Sequence, residues 1–485
     1  MPPGVRTEPM RSPDRQAELS KVRLRRALVL MGMTLLLPGS AQLVAGRKDV
    51  GRLALRIWLG TVAVVLVVVG LGAVWHGFAI RLGVNTFALD VLRIWLTILA
   101  VGWALLLIDA WRLGQPLQLT QRQRLFVVGV NGVLVFVVAG SLLFASHIVA
   151  VQRDFIIAMF GDGTKSAAED GRYNVLLIGG DEGAGRWGLR TDSMTVASID
   201  EETGKTILFS LPRNMTNFPF PQGSVMAKQF PHGYDCETCM LNSLATWAAD
   251  HKSLFGSSPT PGIDATIQGI EGITGLKINY WTLVNLDGFR DLVNAMGGIT
   301  LNVRDRIPID VPVTGYIEPG VQKLNGYEAL WFARSRESAD DYSRMARQKC
   351  VMNAMLHQLS PQTVITKFEA LAKAGTELVQ TDLPASELGT FADLALKARS
   401  QKISSVSFVP PAIETYDPDI DKIRSMIADA IKKSEAAGSS DSHGSGGSGG
   451  KGFNTHKSGS TTGGSLGSLS SGYAANQSDD LGKVC

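Results

Sequence analysis

The segment YNVLLIGG, Tyr173–Gly180, decides the fold that the sequence predicts. Its mostly apolar run ends in two glycines, a pattern typical of a buried strand that leads into a turn. Two more strand candidates follow at Met194–Ile199 and Thr206–Ser210, and the polar turn Asp200–Gly204 joins them like a hairpin. The chain therefore predicts a β-sheet that starts at residue 173.

Helical and strand patterns alternate after these three strands. Four isoleucines recur at helical spacing and predict an amphipathic helix over residues 261–274. The alternation predicts an α/β fold in which a mixed central sheet lies between helical layers, an α/β/α arrangement. The other predicted elements are strands at Trp281–Val284 and Ile299–Val303 and helices near residues 286–296, 326–333 and 342–359.

The last quarter of the chain changes character twice. Residues 361–435 are interpreted as an accessory segment that follows a main domain at residues 173–360. From residue 436 to 485 the chain is rich in Gly and Ser and has no apolar face, so this tail is expected to be disordered. The accessory segment is predicted to contain helices at Phe368–Val379, Leu388–Ala398 and Asp419–Lys432 and a strand at Ser404–Phe408.

The first third of the chain is apolar enough to enter a lipid bilayer. Three stretches, at about residues 53–75, 92–111 and 125–149, have the length and composition of membrane-spanning helices. A fourth apolar stretch, residues 27–45, is broken by Pro38 and Gly39. Residues 151–172 are interpreted as a linker to the main domain.

Positive charge predicts the orientation of these helices. The tail at residues 1–26, the connector before the first span and the connector near residues 112–124 are rich in Lys and Arg, which favours the cytoplasmic side, whereas the loop at residues 76–91 is poor in them. All the basic segments are cytoplasmic together if residues 27–45 re-enter on the same side, which places the main domain outside the cytoplasm of a multi-pass plasma membrane protein. A complete crossing by residues 27–45 would place that domain inside, and a cleaved signal peptide is a third alternative.

Net charge and cysteines exclude some functional classes and leave others open. The net charge of +3 is nearly balanced and gives no reason to expect nucleic acid binding. Cys236 and Cys239 form a single CxxC, and no second such pair completes a zinc site. A structural disulfide is expected, either within this pair or from one of the two to Cys350.

Acidic and basic side chains gather near strand ends and on one helix. Asp181 and Asp192 flank a glycine-rich loop, and two such carboxylates can share Mg²⁺ with phosphate oxygens. Arginine suits a phosphate partner because its planar fork binds two oxygens and keeps its charge. Further candidates for an anion site are Arg190, Arg213, Arg334, Arg336, Arg344, Arg347 and Gln348.

Five segments resemble the ordered motifs of the LytR-CpsA-Psr family: YNVLLIGGDEG, RTDSMTVASID, FSLPRNM, DGFRDLVNAMGGITLNV and LNGYEALWFARSRESADDYSRMARQ. They span about residues 173–359, and the segments LPGSAQL and PHGYDCETC resemble actinobacterial members. The resemblance implies an α/β/α catalytic domain that binds a polyprenyl-pyrophosphate-linked glycan, with the lipid tail in a hydrophobic tunnel. It also implies transfer of the glycosyl phosphate to a sugar hydroxyl of peptidoglycan, with arabinogalactan or a teichoic acid among the possible polymers.

The resemblance also implies roles for individual residues. Asp181 and Asp192 would bind Mg²⁺ or Mn²⁺, the arginines named above would bind the pyrophosphate, and Gln348 would be a polar neighbour. The catalytic set would contain Arg213, Asp192, Arg336 and Arg344. Asp341 and Asp192 are both candidates for a general base. A pyrophosphate hydrolase and a non-catalytic receptor for a wall lipid are the two alternative functions.

Overall fold

The computed structural model describes residues 13–160, 164–180, 189–336, 341–358, 379–399, 401, 403–439 and 476. The chain divides into two compact units, with the boundary between Asp154 and Phe155. Each unit has its own set of internal contacts, and each is described separately below.

The N-terminal unit is helical. Among the described residues, three stretches are long and apolar enough to cross a membrane: Lys48–Val74, Thr86–Gln118 and Gln121–Ala158. The last helix continues to Phe160, so it occupies the first ten residues of the expected linker. The helices are α1 (Pro13–Leu36), α2 (Ser40–Val44), α3 (Lys48–Val74), α4 (His76–Val84), α5 (Thr86–Leu113) and α6 (Gln121–Phe160), with a 3₁₀ turn at Pro116–Gln118.

The broken apolar stretch folds back on itself as a hairpin of α1 and α2. Gly39 makes the reversal with φ of 92°, and a Cβ there would lie 2.6 Å from the Gly51 carbonyl oxygen. Ala27, near the start of the hairpin, packs with Leu119 just beyond the end of α5. Gln42, at the other end, donates to the Leu106 carbonyl over 3.0 Å. Both ends of the hairpin therefore lie beside the C-terminal half of α5 and the residues that follow it.

The C-terminal unit is built on a mixed six-stranded sheet in the order β10-β3-β2-β1-β4-β9. The pairs β10–β3 and β1–β4 are parallel, and the other three pairs are antiparallel. The mixed sheet between helices confirms the predicted fold class. Its strands are β1 (Arg172–Gly180), β2 (Thr191–Asp200), β3 (Thr206–Leu211), β4 (Tyr280–Asn285), β9 (Val379–Thr381) and β10 (Ser404–Ser407).

Two small antiparallel ribbons stand apart from this sheet. One ribbon pairs β5 with β8, so the strand predicted at Ile299–Val303 exists but does not join the main sheet. The other pairs β6 with β7. These strands are β5 (Ile299–Val303), β6 (Ile307–Ile309), β7 (Gly315–Ile317) and β8 (Gly320–Leu324).

Eight helices of this unit lie within the described residues, and they pack around two apolar cores. On one face Leu176 and Ile178 of β1 belong to a large apolar core. A second core contains Val293, Phe332 and Val351. The helices are α7 (Val225–Gln229), α8 (Leu244–Asp250), α9 (Pro261–Thr274), α10 (Leu286–Met296), α11 (Gly326–Arg334), α12 (Asp341–Gln358), α13 (Leu388–Arg399) and α14 (Ile420–Ser439), with 3₁₀ turns at Leu241–Ser243, Lys252–Phe255 and Ala385–Glu387.

The domain boundary expected at residue 360 is not a boundary of the fold. Both edge strands of the main sheet, β9 and β10, come from the segment interpreted as accessory. Ile423 and Ile427 of α14 are buried in the core under that sheet. Residues up to Ser439 thus complete the domain, and α14 extends past the predicted helix end at 432.

Three further expectations can be compared with the structure. Val379 begins a strand rather than ending a helix, and residues 368–378 of the predicted helix lie outside the described residues. Of the tail, only residues 436–439 and 476 are described. Cys236 and Cys239 form a disulfide with each other, so a bridge from one of them to Cys350 is ruled out.

Candidate active site

An apolar cavity of about 410 Å³ lies between the sheet and three helices. Side chains alternate along β1, so Leu176 and Ile178 enter the core while Leu177 and Gly179 face the cavity. This alternation explains why every second residue of β1 is only half-buried. The opposite wall comes from α10, α11 and α12, with Phe289, Leu292, Leu330, Met352 and Met355 among its residues.

Charged side chains form one border of this apolar space. Asp192, Arg334 and Arg344 line the cavity together with Gln348. They come from the start of β2, the end of α11 and one face of α12. The structure therefore brings four of the predicted site residues to a single cavity, whose remaining lining is mostly apolar.

Arg213 follows β3 and joins two carboxylates from different elements. Its Nη1 donates to Asp192 Oδ1 over 2.5 Å, and its Nε donates to Asp341 Oδ2 over 3.2 Å. Burial acts to lower the pKa of Arg213, but the Asp341 and Asp192 carboxylates outweigh it and the net shift is upward. Arg213 stays charged and holds the two acids in place.

Arg344 is the most buried charged group on the cavity wall, with 3% of its surface exposed. Its Nη2 donates to Asp341 Oδ2 over 3.0 Å and to the Asp192 carbonyl over 3.2 Å. Its Nε is buried and meets no acceptor among the described residues. Burial lowers the pKa of Arg344, and the Asp341 carboxylate opposes that shift. A buried donor without an acceptor is costly, so Arg344 is suited to receive an anion from the cavity.

Arg347 occupies a different place from the one expected. Its side chain is fully buried, and its terminal nitrogens donate to the carbonyls of Phe332 and Ser335. These carbonyls belong to the end of α11, next to Arg334, and the residues that line the cavity do not include Arg347. Arg347 therefore positions the end of α11, and its predicted contact with a pyrophosphate stays a prediction. Helical spacing alone grouped it with Arg344 and Gln348.

The other predicted residues have less defined surroundings. Arg190 and Arg336 are exposed, and no hydrogen bond or ion pair joins either side chain to another residue that the structure describes. Asp181 lies outside the described residues. Gln348 lines the cavity and donates to the Ala333 carbonyl over 3.3 Å.

The described carboxylates provide a partial match to a divalent cation. Asp192 is about one-third exposed, and only its Oδ1 accepts a hydrogen bond from another described residue. Its Oδ2 is therefore an oxygen ligand of the kind that Mg²⁺ prefers. Within the described ranges no group of three potential metal ligands occurs.

Two features of the site were not found from the sequence. The sequence indicates Asp341 only as a candidate base, whereas its Oδ2 joins Arg213 to Arg344. Lys349 is 2% exposed and donates to Ser407 Oγ over 3.0 Å, and burial lowers its pKa to about 7. The available signal for Lys349 was its position next to Gln348, together with the polar residues on the short strand β10.

The chain is similar in sequence to known proteins over part of its length. The chain is 28% identical to Biofilm regulatory protein A of Streptococcus mutans over 47% of this chain and 53% of that protein. It is 31% identical to the polyisoprenyl-teichoic acid–peptidoglycan teichoic acid transferase TagU of Oceanobacillus iheyensis over 46% of this chain and 62% of that one. It thus spans between half and two-thirds of the length of these relatives.

One solved structure and one family model complete the comparison. The crystal structure of TagV from Bacillus subtilis aligns with 54% of this chain and 97% of its own, with 24% identity and a TM-score of 0.40. The model of the LytR_cpsA_psr family matches residues 150–430, more than half of the sequence. The matched range begins in α6 and ends within α14, so it includes both edge strands of the sheet. The chain therefore belongs to the LytR_cpsA_psr family.

Proposed function

We propose that this protein is a cell-wall glycopolymer transferase. It takes a glycosyl phosphate from a polyprenyl-pyrophosphate carrier and joins it to a sugar hydroxyl of peptidoglycan. Its relatives support the proposal, since TagU of Oceanobacillus iheyensis is named as a polyisoprenyl-teichoic acid–peptidoglycan teichoic acid transferase. The observation that carries it is the cavity of about 410 Å³, apolar along most of its lining and bordered by guanidinium groups.

The two parts of the cavity match the two parts of such a substrate. The polyprenyl chain would lie against Leu177, Phe289 and Met355, where burial of apolar surface contributes about 25 cal/mol per Å². The diphosphate would lie at Arg344 and Arg334, where charge-assisted hydrogen bonds are strong. Arg213 would add a third positive charge through the carboxylates that it shares with Arg344.

The proposed reaction is a direct displacement at phosphorus. The acceptor hydroxyl oxygen forms a bond to the phosphorus nearest the glycan, and the bond from that phosphorus to the bridging oxygen breaks. Polyprenyl phosphate leaves with the bonding electrons, and the hydroxyl proton passes to a carboxylate or to solvent. Arg213, Arg334 and Arg344 would stabilise the charge that develops on the phosphate oxygens.

A divalent cation is part of this proposal. Asp192 would hold Mg²⁺ or Mn²⁺ through its Oδ2, with Asp181 as the second ligand expected from the sequence. Such an ion would supply further positive charge to the diphosphate oxygens. Arg213 would keep Asp192 in position for this role, since its Nη1 donates a hydrogen bond of 2.5 Å to Asp192 Oδ1.

The proposed location is the outer side of the plasma membrane. The three long apolar helices support a membrane anchor. The α1–α2 hairpin and the basic connectors support an orientation in which the C-terminal unit is extracytoplasmic. Cysteine labelling of residues introduced after Phe160, with a reagent that does not cross membranes, tests this orientation.

The decisive assay mixes the full chain in detergent with Mg²⁺, a short polyprenyl-pyrophosphate glycan and peptidoglycan fragments. Mass spectrometry would detect a phosphodiester-linked product, and chelation of the metal should stop its formation. Arg213→Ala should abolish the product, whereas Arg306→Ala, an arginine of the β5–β6 connection paired with Glu318, should leave it unchanged.

The outcomes separate the candidate functions. Cleaved lipid without a linked product would indicate a pyrophosphate hydrolase. Lipid that binds but stays intact would indicate a receptor. A fully active Arg213→Ala protein would contradict the assignment of the anion site.

A further inference from the structure

A second cavity, of about 330 Å³, lies in the N-terminal unit between α1 and the end of α2. Val22, Arg26, Val29 and Met33 form one stripe of α1 at helical spacing, and all four line this cavity. The opposite side is formed by Val44 at the end of α2. The cavity is thus an apolar groove with guanidinium groups near one end.

Two of its arginines have no counter-charge among the residues that the structure describes. Arg25 and Arg26 are exposed, and neither forms a hydrogen bond or an ion pair with another residue that the structure describes. Other arginines of the unit are engaged: Arg23 donates to the Gln118 carbonyl over 3.3 Å, and Arg47 pairs with Asp109. Within the described part of the chain, the groove therefore presents two unpaired positive charges beside its apolar wall.

The position of the groove along the helix axes favours a lipid as its ligand, with the headgroup at the arginines. Arg23 contacts the connector between α5 and α6, so Arg25 and Arg26 lie near the end of the long apolar helices. Val29 and Met33 continue from there toward the middle of α5, since the neighbouring Thr34 accepts a hydrogen bond from Trp103. The groove thus runs from arginines at the helix ends to apolar side chains further in. A phospholipid has the matching order, with its phosphate at the membrane surface and its acyl chain deeper.

We propose that this groove binds an anionic phospholipid, with its phosphate at Arg25 and Arg26 and an acyl chain along Val29 and Met33. The proposal depends on the membrane embedding of the N-terminal unit and is independent of the transferase reaction. Charge complementarity is its main argument, because a zwitterionic headgroup would leave the two guanidinium charges uncompensated. The bound lipid would contact both helices of the α1–α2 hairpin.

The test compares two double variants that lose the same charge. The full chain is reconstituted in phosphatidylcholine with a minor share of phosphatidylglycerol, extracted into mild detergent and examined by native mass spectrometry. We expect the wild-type chain to retain one phosphatidylglycerol molecule. Arg25→Gln/Arg26→Gln should weaken that retention by about tenfold or more, since each basic contact near the surface contributes about 1 kcal/mol.

The matched control is Arg122→Gln/Arg124→Gln. These two arginines are exposed at the start of α6, at the same end of the helices but outside the groove. The control should retain phosphatidylglycerol like the wild type. Equal losses in both double variants, or a wild-type chain that retains no phosphatidylglycerol, would overturn the proposal, and neither result depends on transferase activity.

Discussion

Replacing Lys349 with methionine tests how much the buried amine lowers the free energy of unfolding. Lys349 is 2% exposed, its one hydrogen bond in the described structure goes to Ser407 Oγ, and burial lowers its pKa from 10.5 to about 7. The unfolded chain therefore binds more protons than the folded chain between these two pH values. Linkage then requires that the free energy of unfolding rises with pH across this window.

The size of the effect follows from the shift. Each pKa unit corresponds to about 1.36 kcal/mol, so the window from 10.5 down to about 7 represents roughly 5 kcal/mol at most. Between about pH 7.5 and about pH 9.5 the wild-type protein should gain roughly 2 to 3 kcal/mol from this group alone. Lys349→Met fills a similar volume and cannot titrate, so it should be more stable than the wild type near pH 7.5 and lose that advantage as pH rises.

The assay is urea unfolding of the full chain in detergent, followed by a short protease pulse that digests unfolded C-terminal units. Lys323→Met is the control, because Lys323 is an exposed lysine on β8 and the chemical change is the same. The difference in the free energy of unfolding between Lys349→Met and the wild type should shrink by roughly 2 to 3 kcal/mol over the pH range. Lys323→Met should show the same pH dependence as the wild type. Parallel profiles for wild type and Lys349→Met would refute the reasoning.

Three further predictions concern the cavity and its border. Asp341→Asn removes the charge that Arg213 and Arg344 share, and it should lower the free energy of unfolding by about 1 to 3 kcal/mol in the same assay. The loss should be smaller than for a fully buried ion pair, because about a fifth of the Asp341 side chain is exposed. An unchanged stability would show that the two arginines do not need this acid. Arg347→Lys cannot reach both the Phe332 and Ser335 carbonyls and should cost about 2 kcal/mol, so a variant as stable as the wild type would contradict the positioning role. Ala333→Trp should fill the cavity, so calorimetry should show weaker binding of a long-chain polyprenyl diphosphate with inorganic pyrophosphate binding retained, and equal binding of the long chain would mean that it lies elsewhere.

The elements predicted well were those whose signals are local. The helix at residues 286–296 begins and ends as predicted, because Asn285 caps its start and Gly297 ends it with φ of 88°. The strand YNVLLI was clear because its apolar run is long for a strand and ends in two glycines. Periodicity and capping are both readable from neighbouring residues.

The elements predicted poorly depend on distant partners. β9 has only three residues and pairs with β4, about a hundred residues earlier in the chain, so no local pattern marks it as an edge of the sheet. For the same reason the segment after residue 360 was interpreted as accessory. Pairing across such distances is decided by packing of the whole sheet, which a single sequence does not display.

The same limit applies to the site. The motifs indicated several arginines that lie near the cavity, but helical spacing could not separate Arg344, which lines the cavity, from Arg347, which does not. The two residues are three positions apart and share a side of α12. What separates them is the position of the α11 carbonyls, and that position is a property of the folded domain.

The most direct measurement is a structure of the full chain with a polyprenyl-pyrophosphate glycan bound. We predict diphosphate oxygens within hydrogen-bonding distance of Arg344 and Arg334, close to Arg213, and a lipid chain between β1 and α10. A diphosphate found away from these guanidinium groups, or a lipid chain outside the cavity, would contradict the account.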